Sequence, residues 1–538
     1  MKKQLFIAFI CAFLVHFSSS AQRFKYDFSE STGRSSPNQN AVAVDDGWLV
    51  MQKTFSKRLY SQEVIVEIVR YNKKMEKINT VVIPLKEDKL VHLKGLYRIK
   101  GEYNLVYGYK QDKADDEVII SGIRLNPKDL SVKGEVILGS VRTATITGVQ
   151  ALIGAVRFNG ASFTVNYSMD SSKFYLLTYP EQKKKDAKQF AFAVFNADLS
   201  KVYSKNIELD VQSRYAEIES TTLDKDGNFY VQRRTIPEEV TTSHIDKEHQ
   251  KYAPEESILT QYSKDDLAGK DILLGLTGKF VYQTKITLNK ATNKLDIAGT
   301  YKNMEKGKIS GVFYCHYDPQ TKKSAGLVSS EIPGDIADLL MKEKLAKTTG
   351  KDPGLSLAFT INNLGYRPNG SVDCMLEYEN AQEQSTSGLG GSRIYYTKFY
   401  SNSILNVNIG TDGKMIFTRI PKRQEDIRDN SYLSFFSFYS GNNLVLLYND
   451  DKKNLEKKIT QMPDDIEPHK RGTVLVAAIV DEKGNLKREV VYEHQDDKYV
   501  TIPTSSRMIS SNDILLKKVK LGKAFEWEST KIGVLHVL

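Results

Sequence analysis

A unit of short strand-like runs recurs along this chain and constrains its fold more than any other feature. Each unit has an alternating apolar or aromatic run, a charged loop, and then a hairpin whose turn is rich in Asp, Asn, Gly or Ser. Such alternation predicts β-strands, and the turn residues predict tight hairpins. The clearest copies begin at EYNLVYGYK, SKFYLLTYP and NNLVLLYND, and their hairpins are EVIISGIRLNPKDLSVKGEVI, KQFAFAVFNADLSKVYSKNIEL and GTVLVAAIVDEKGNLKREVVY.

The spacing of the units predicts a β-propeller. Equivalent apolar anchors are separated by 56, 69, 55, 66, 77, 72 and 70 residues, and they are Leu49, Leu105, Phe174, Phe229, Leu295, Val372, Leu444 and Ile514. A nearly constant period of three to four short strands is typical of a propeller blade, which must pack on its neighbours because it cannot bury both faces alone. We expect the strands after the last anchor to complete a blade begun at the N-terminus, which closes the ring. The prediction is an all-β propeller of seven blades, with six or eight as alternatives.

The N-terminal residues predict export. Lys2 and Lys3 precede a short apolar run, and Ser19 and Ala21 supply the small residues of a signal-peptidase site. No later run reaches the roughly 20 apolar residues of a membrane helix. The expected division is a signal peptide at 1–21, a lead-in segment at 22–46 and the propeller at 47–538. The expected location is the periplasm, with the cell surface or the exterior as the alternative.

Charge and cysteine content exclude several classes of protein. The formal net charge of +10 is small for 538 residues, and the lysine runs at 183–188 and 452–458 have acidic neighbours. We interpret these runs as solvated hairpin tips, and together with export they argue against nucleic acid as a partner. Beyond the signal segment only Cys315 and Cys374 remain, too few for a disulfide scaffold, and the sequence leaves open whether they pair.

The acidic turns and the histidines do not match the patterns of known metal-binding or catalytic sites. The turns DKDGN, TDGK and DEKGN lack the alternating oxygen ligands and distal Glu of a calcium loop, so we interpret them as tight turns. His244 and His249 have the wrong spacing for one helical face, and no zinc, P-loop, dinucleotide-binding or nucleophile-elbow pattern occurs. We therefore assign no catalytic, cofactor-binding or metal-binding residue and expect no cofactor.

Two segments depart from the strand pattern. A Pro-Gly start, Asp335 as a helix N-cap and apolar Ile336, Leu339 and Leu340 predict a helical insertion over 335–349. We expect this helix to cover an edge or a face of the propeller. A polar stretch rich in Gly and Ser, residues 378–392, predicts a loop.

Three C-terminal segments resemble uncharacterised exported β-propeller-like proteins of Gram-negative bacteria. They are GKMIFTRIPKRQ (413–424), SYLSFFSFYSGNNLVLLYNDDKKN (431–454) and IPTSSRMISSNDILL (502–516). The resemblance covers mainly the last 200 or so residues. It implies the same fold and no particular activity.

The expected function follows from the fold, because a propeller presents rigid loops at the two ends of its ring. We expect a monomeric binding or scaffolding protein of the cell envelope, with a protein or glycan ligand at a propeller face. Enzymatic activity stays open, although its absence is favoured. The alternative is a propeller-type carbohydrate-active hydrolase or lyase with convergent carboxylates, or a Tyr and Arg set, in an axial pocket. A further alternative is a structural component that makes its contacts through 333–392.

Overall fold

The computed structural model describes residues 24–30, 40–55, 64–85, 91–111, 116–143, 162–168, 170–183, 186–235, 256–274, 276–289, 292–303, 307–342, 354–387, 393–427, 430–468, 472–494, 499–521 and 527–538. The predicted signal peptide lies outside them. The strands within these ranges are β1 (Phe24–Phe28), β2 (Asn40–Val44), β3 (Gly47–Phe55), β4 (Val64–Asn72), β5 (Lys77–Ile83), β6 (Val91–Ile99), β7 (Glu102–Tyr109), β8 (Glu117–Leu125), β9 (Val132–Arg142), β10 (Ser162–Tyr167), β11 (Lys173–Tyr179), β12 (Ala187–Asn196), β13 (Lys201–Gln212), β14 (Ala216–Leu223), β15 (Phe229–Thr235), β16 (Glu256–Tyr262), β17 (Lys270–Leu273), β18 (Phe280–Leu288), β19 (Leu295–Lys302), β20 (Gly311–Asp318), β21 (Lys323–Glu331), β22 (Phe359–Tyr366), β23 (Val372–Ser387), β24 (Arg393–Ile409), β25 (Met415–Asp426), β26 (Phe436–Ser440), β27 (Asn443–Asp451), β28 (Thr473–Val480), β29 (Leu486–Glu493), β30 (Val500–Thr501), β31 (Arg507–Met508), β32 (Asp513–Leu521) and β33 (Trp527–Val537). The α-helices are α1 (Gly334–Lys342) and α2 (Lys452–Glu456), and short 3-10 turns span Ser213–Tyr215, Asn430–Tyr432 and Pro503–Ser505.

The strands form eight antiparallel sheets in the described part of the chain. Seven sheets contain four consecutive strands each, and we number them blades 1 to 7, from β2–β5 to β26–β29. Blade 8 has the order β1, β33, β32, β30, with β31 also paired to β32. Consecutive antiparallel strands joined by short turns are the meander that each propeller blade requires.

Contacts between the first strands of successive blades arrange the sheets in a ring. The inner strands of blades 1 to 6 contact each other in order, and the 3-10 turn of blade 8 contacts the inner strand of blade 7. Side chains bridge several of these junctions: the backbone N–H of Ile361 donates to Gln283 Oε1 at 3.2 Å, and Asn363 Nδ2 donates to Ser437 Oγ at 3.0 Å. Arg507 of blade 8 donates to the backbone oxygen of Ala41 in blade 1. The ring is closed, and the all-β propeller predicted from the sequence is confirmed.

Burial follows the position of each strand in its blade. Every residue of β19 and β28 is buried, because these strands lie between two neighbouring blades, whereas the outermost strands β9 and β21 are mostly exposed. Seven of the anchors that set the repeat lie in the second strand of their blade, Ile514 lies in β32 of blade 8, and all eight are at most 3% exposed. Large apolar residues of these strands form the contacts that hold adjacent blades together.

The eight sheets are eight blades in the described part of the chain. Eight was one of the two alternative counts that the sequence left open beside seven. The predicted closure is present, since Phe24 to Phe28 pair with β33 in register from Val537 to Gly533. However, only one strand of the closing blade comes from the N-terminus. The unit anchored at Leu49 forms a complete sheet of its own, and the segment 22–46 contributes β1 and β2 to two different blades.

The two departures from the strand pattern have different outcomes. A helix is present at Gly334–Lys342, where Ala337 and Leu340 are buried against blades 5 and 6, and Asp335 lies in its first turn instead of before it. Residues 343–349 lie outside the described residues. The loop predicted at 378–392 is wrong for its described part, because β23 and β24 continue as a hairpin from Glu379 paired with Ser401 to Ser387 paired with Arg393. Cross-strand pairing over this length overrides a polar composition.

Candidate functional site

A cavity of about 740 Å³ lies on the axis of the ring. Its walls come from β6, β10, β11, β14, β18 and β31, which belong to blades 2, 3, 4, 5 and 8. Side chains from five blades, including some on opposite sides of the ring, can meet only at its centre. The volume falls in the range of small-molecule sites, about 300–1,000 Å³. The polar lining side chains are cationic, phenolic or hydroxyl- or amide-bearing, with one carboxylate, Glu219.

Three cationic side chains line the cavity from three blades: Lys94 of β6, Lys285 of β18 and Arg507 of β31. Within the described residues, no carboxylate oxygen lies within 4.0 Å of either lysine ammonium. Burial lowers the pKa of Lys94 and of Lys285, and at Lys285 nearby Glu219 partly opposes this effect. Burial also lowers the pKa of Arg507. Among the described residues, the two lysines of the cavity therefore have no carboxylate in contact, whereas Arg507 donates to the backbone oxygen of Ala41.

Glu219 of β14 is the carboxylate among the described lining residues. Its Oε1 lies 3.3 Å from Arg234 Nε, and its Oε2 accepts a 3.0 Å hydrogen bond from the backbone N–H of Thr284. Burial raises the pKa of Glu219 to about 7, although Arg234 and Thr284 oppose the rise. Arg234 also pairs with Glu217 and donates to the backbone oxygen of Tyr282. Glu219 is thus held in a network within the wall.

Four tyrosines line the cavity: Tyr97, Tyr167, Tyr175 and Tyr179. The hydroxyls of Tyr175 and Thr221 are 2.9 Å apart, whereas Tyr167 is 52% exposed and open to a ligand. Burial raises the pKa of Tyr179 to about 12 and also raises that of Tyr97, although Arg507 opposes the rise at Tyr97. The hydroxyls of Tyr97 and Tyr179 are therefore protonated at neutral pH and can donate hydrogen bonds.

Neutral polar groups complete the lining, and they are Thr164, Asn166, Ser220, Thr221, Thr222 and Thr287. They come from the inner strands β10, β14 and β18, which also contribute the apolar residues Val165, Ile218 and Ile286. Hydroxyl and amide groups can both donate and accept hydrogen bonds, so they suit a ligand rich in hydroxyl groups. The described walls are polar and do not form an apolar plug.

A second group of titratable residues is closed to solvent. Lys422 and Glu377 form an ion pair in which both side chains are fully buried, and Lys422 also donates to Gln424 Oε1 at 3.0 Å. Glu377 accepts from Ser401 Oγ at 2.6 Å and from Asn362 Nδ2 at 2.6 Å. Since the protein itself supplies partners to both charges, we interpret this group as structural support within blade 6.

The acidic turns are confirmed as tight turns. Asp224 Oδ1 accepts hydrogen bonds of 2.9 and 2.8 Å from the backbone N–H groups of Asp226 and Asn228, and Gly227 has a φ of +93°. The turn that begins at Asp481 has the same pattern. The carboxylate oxygens thus bond to their own backbone, as such turns require.

Among the described residues, no group of three or more His, Cys, Asp or Glu could hold a metal ion. His244 and His249 lie outside the described residues. Cys315 and Cys374 are separate buried thiols, and burial raises the pKa of each to about 12. No described helix combines the length and the apolar character needed to cross a membrane.

Comparison with known proteins adds little beyond the fold. No family model matches the chain, and no curated protein matches it either. The chain is similar to the solved structure of the Dos1 propeller, with 9% identity over 95% of this chain and 96% of that one and a TM-score of 0.40. It is also similar to polysaccharide lyase Uly1, with 10% identity over 83% and 90% and a TM-score of 0.37. A third similar structure is the β-propeller domain of the Trilobed protease from Pyrococcus furiosus, with 9% identity over 87% of this chain and 98% of that one and a TM-score of 0.33.

At these identities and TM-scores, the likenesses carry no argument about activity. The assignment of the propeller rests on the sheet topology described above. The narrower resemblance to exported Gram-negative proteins stays a prediction.

Nothing in the sequence singled out the cavity residues. Lys94, Tyr97 and Lys285 lie in ordinary alternating strands, and Arg507 lies in a two-residue strand within a loop-rich stretch. One feature of the sequence could have indicated a polar centre of the ring. In several repeat units, the first strand has more polar residues than the second strand. The enzyme alternative required convergent carboxylates or a Tyr and Arg set, and the cavity brings together the second of these.

Proposed function

We propose that this protein is an exported binding protein of the cell envelope that holds a polar ligand in the axial cavity. One observation carries the proposal: five blades supply hydroxyl, amide, phenol and cationic side chains to one cavity that is open to solvent. A ring that needed only a filled centre for stability would place apolar side chains there, because buried polar groups without partners cost free energy. The proposed location rests on the signal-peptide pattern of residues 1–21.

A glycoside hydrolase receives less support from this geometry. Hydrolysis requires two carboxyl groups about 5–10 Å apart across the bond to be cleaved. In the described lining, Glu219 has no second carboxylate facing it, and it is held by Arg234 and Thr284.

A lyase remains the second candidate because Tyr97, Tyr167 and Arg507 line the same cavity. Elimination from an acidic sugar needs a base to remove a proton and a cation to stabilise the resulting charge. The raised pKa of Tyr97 opposes its use as the base. We expect binding without turnover, and an increase in ultraviolet absorbance from an unsaturated product would instead support the lyase.

Tyr167→Ala tests whether the cavity is the binding site. We expect this variant to weaken binding of oligosaccharide probes by about tenfold, because a stacking aromatic in a binding site contributes roughly 1–3 kcal/mol. Binding is measured by calorimetry with a panel of acidic and neutral tetrasaccharides.

The matched control for this experiment is Tyr395→Ala, which removes a tyrosine that is 70% exposed on the hairpin of blade 6 and outside the cavity. The control should bind like the wild type. Equal loss in both variants, or no saturable binding of any probe to the wild type, would contradict the proposed site.

Export is tested separately by fractionating cells that produce the full chain. The mature protein is expected in the periplasmic fraction, and sequencing of its N-terminus should begin at Gln22, the residue after the predicted cleavage site. A cytoplasmic protein that retains residues 1–21 would contradict the proposed location.

A further inference from the structure

We propose that the ligand of the axial cavity is an acidic saccharide whose carboxylate or sulfate groups are bound by Lys94, Lys285 and Arg507. This inference rests on the binding function proposed above and names the class of ligand. It depends on the imbalance of charge in the cavity, the distribution of the cations around the ring, and the neutral groups between them.

The described lining of the cavity has more positive than negative charge. The described lining has three cationic side chains and one carboxylate, Glu219. That carboxylate is paired with Arg234, which belongs to the second strand of blade 4 and does not line the cavity. In the part of the chain that the structure describes, the charges of Lys94 and Lys285 are left without a carboxylate in contact. Partly desolvated ammonium groups without a counter-charge are costly, and an anionic ligand would remove that cost.

The distribution of the cations limits the shape of the ligand. Lys94, Lys285 and Arg507 lie on blades 2, 5 and 8, so they approach the axis from well-separated directions. One small anion would satisfy a single cluster of donors, whereas cations spread around a cavity suit a ligand with several acidic groups. The volume of about 740 Å³ has room for an oligosaccharide of a few sugar units.

The groups between the cations favour a saccharide over other polyanions. Tyr97 and Tyr167 offer aromatic faces, and Thr164, Ser220 and Thr222 offer hydroxyls that can bond to sugar hydroxyls. Glu219 also lines this space, but its carboxylate is held by Arg234 and by the backbone N–H of Thr284. Acidic sugars combine all three requirements, since they have anionic groups, many hydroxyls and an apolar ring face.

The experiment compares three probes by calorimetry: an oligogalacturonate tetrasaccharide, the neutral galactose tetrasaccharide of the same length, and a sulfated galactan tetrasaccharide. The inference predicts that at least one acidic probe binds ten or more times more tightly than the neutral probe and that added salt weakens its binding. The two acidic probes distinguish a carboxylate ligand from a sulfate ligand.

Lys285→Met and Lys94→Met remove the cations and keep an unbranched side chain that is one heavy atom shorter. Each is expected to weaken binding of the preferred acidic probe by about tenfold or more, the factor for losing one hydrogen bond to a charged group. Binding of the neutral probe should change little. The matched control is Lys264→Met, an exposed lysine between β16 and β17, which should leave both affinities unchanged.

The dependence of binding on pH provides a further readout. Burial lowers the pKa of both lysines, so their positive charge is lost at lower pH than that of an ordinary lysine. At Lys285 the facing Glu219 and Cys374 oppose this shift, and at Lys94 only burial contributes. Affinity for the acidic probe should therefore fall with rising pH before the range in which an ordinary lysine loses its charge, while that for the neutral probe stays level.

The outcomes separate the two proposals. Equal affinity for acidic and neutral probes, with both weakened by Tyr167→Ala, would overturn the acidic ligand and leave the cavity as the binding site. Failure of every probe to bind would overturn both. Acid-selective binding that is unchanged in both lysine variants would overturn the assignment of Lys94 and Lys285.

Discussion

Replacing Arg367 by methionine is expected to lower the free energy of unfolding by about 3–5 kcal/mol, which is the cost of breaking a buried ion pair from one side. The side chains of Arg367 and Asp373 are both fully buried. Arg367 Nε donates to Asp373 Oδ2 at 2.7 Å and Nη2 donates to Oδ1 at 3.0 Å. A methionine would leave the Asp373 carboxylate in the interior without its cation.

The position of this pair explains why its loss should affect the ring as well as one blade. Arg367 follows the innermost strand of blade 6, and its Nη1 donates to the backbone oxygen of Asn442 in blade 7 at 2.9 Å. Asn406 and Asn408 donate to the same carboxylate oxygen of Asp373, at 2.9 and 3.0 Å. The guanidinium thus joins two blades, and the amides hold its counter-ion in place.

Chemical denaturation of the wild type, Arg367→Met, Asp373→Asn and the double variant measures this effect. The double variant should lose less than the sum of the single variants, because removing both charges leaves no unpaired charge in the interior. The control is Lys452→Met. Lys452 pairs at 2.8 Å with Glu493, and both side chains are exposed, so this loss should be a small fraction of that at Arg367. Similar losses at Arg367 and Lys452 would contradict the importance of the buried ion pair.

The sequence predicts the blades well because their second strands have a strong and local signal. Alternation of large apolar residues followed by a hairpin turn depends only on neighbouring residues, so anchors such as Leu105 and Leu295 identify buried strands without any tertiary information. The tight turns at Asp224 and Asp481 are predicted for the same reason. Both side chains bond within four residues of themselves.

The sequence does not predict features that depend on distant pairing. The number of blades depends on whether the N-terminal strand completes the last sheet alone, which only the register of β1 with β33 determines. The hairpin at 379–401 has a polar composition typical of a loop, and its strands persist because they continue two strands of an established sheet.

The cavity is unpredictable for a related reason. Lys94 and Arg507 are more than 400 residues apart in the chain, and each has an ordinary local context. They line one space only because the closed ring brings strands of blades 2, 3, 4, 5 and 8 together at its axis. A site of this kind is a property of the assembled ring, so any account of its function requires the closure to be stable.

Replacing Phe24 by alanine tests that closure and is expected to lower the free energy of unfolding by about 3–5 kcal/mol, the usual cost of removing a buried phenylalanine. Phe24 is 4% exposed and belongs to a cluster with Leu447 and Leu475 of blade 7 and Ile514 of blade 8. It therefore fastens the N-terminal strand to the junction between these two blades. Neighbouring Lys25 is exposed and pairs in register with His536, so Lys25→Ala in the same strand should change stability by less than about 0.5 kcal/mol.

Chemical denaturation of both variants, together with binding of the preferred saccharide probe to the folded proteins, distinguishes closure from local packing. If closure supports the site, Phe24→Ala should reduce stability strongly and also weaken probe binding, because Arg507 lies on the blade that β1 completes. Lys25→Ala should leave both quantities unchanged. A Phe24→Ala protein with wild-type stability would show that the ring does not depend on the N-terminal strand, since a core phenylalanine could be lost from that strand at no cost.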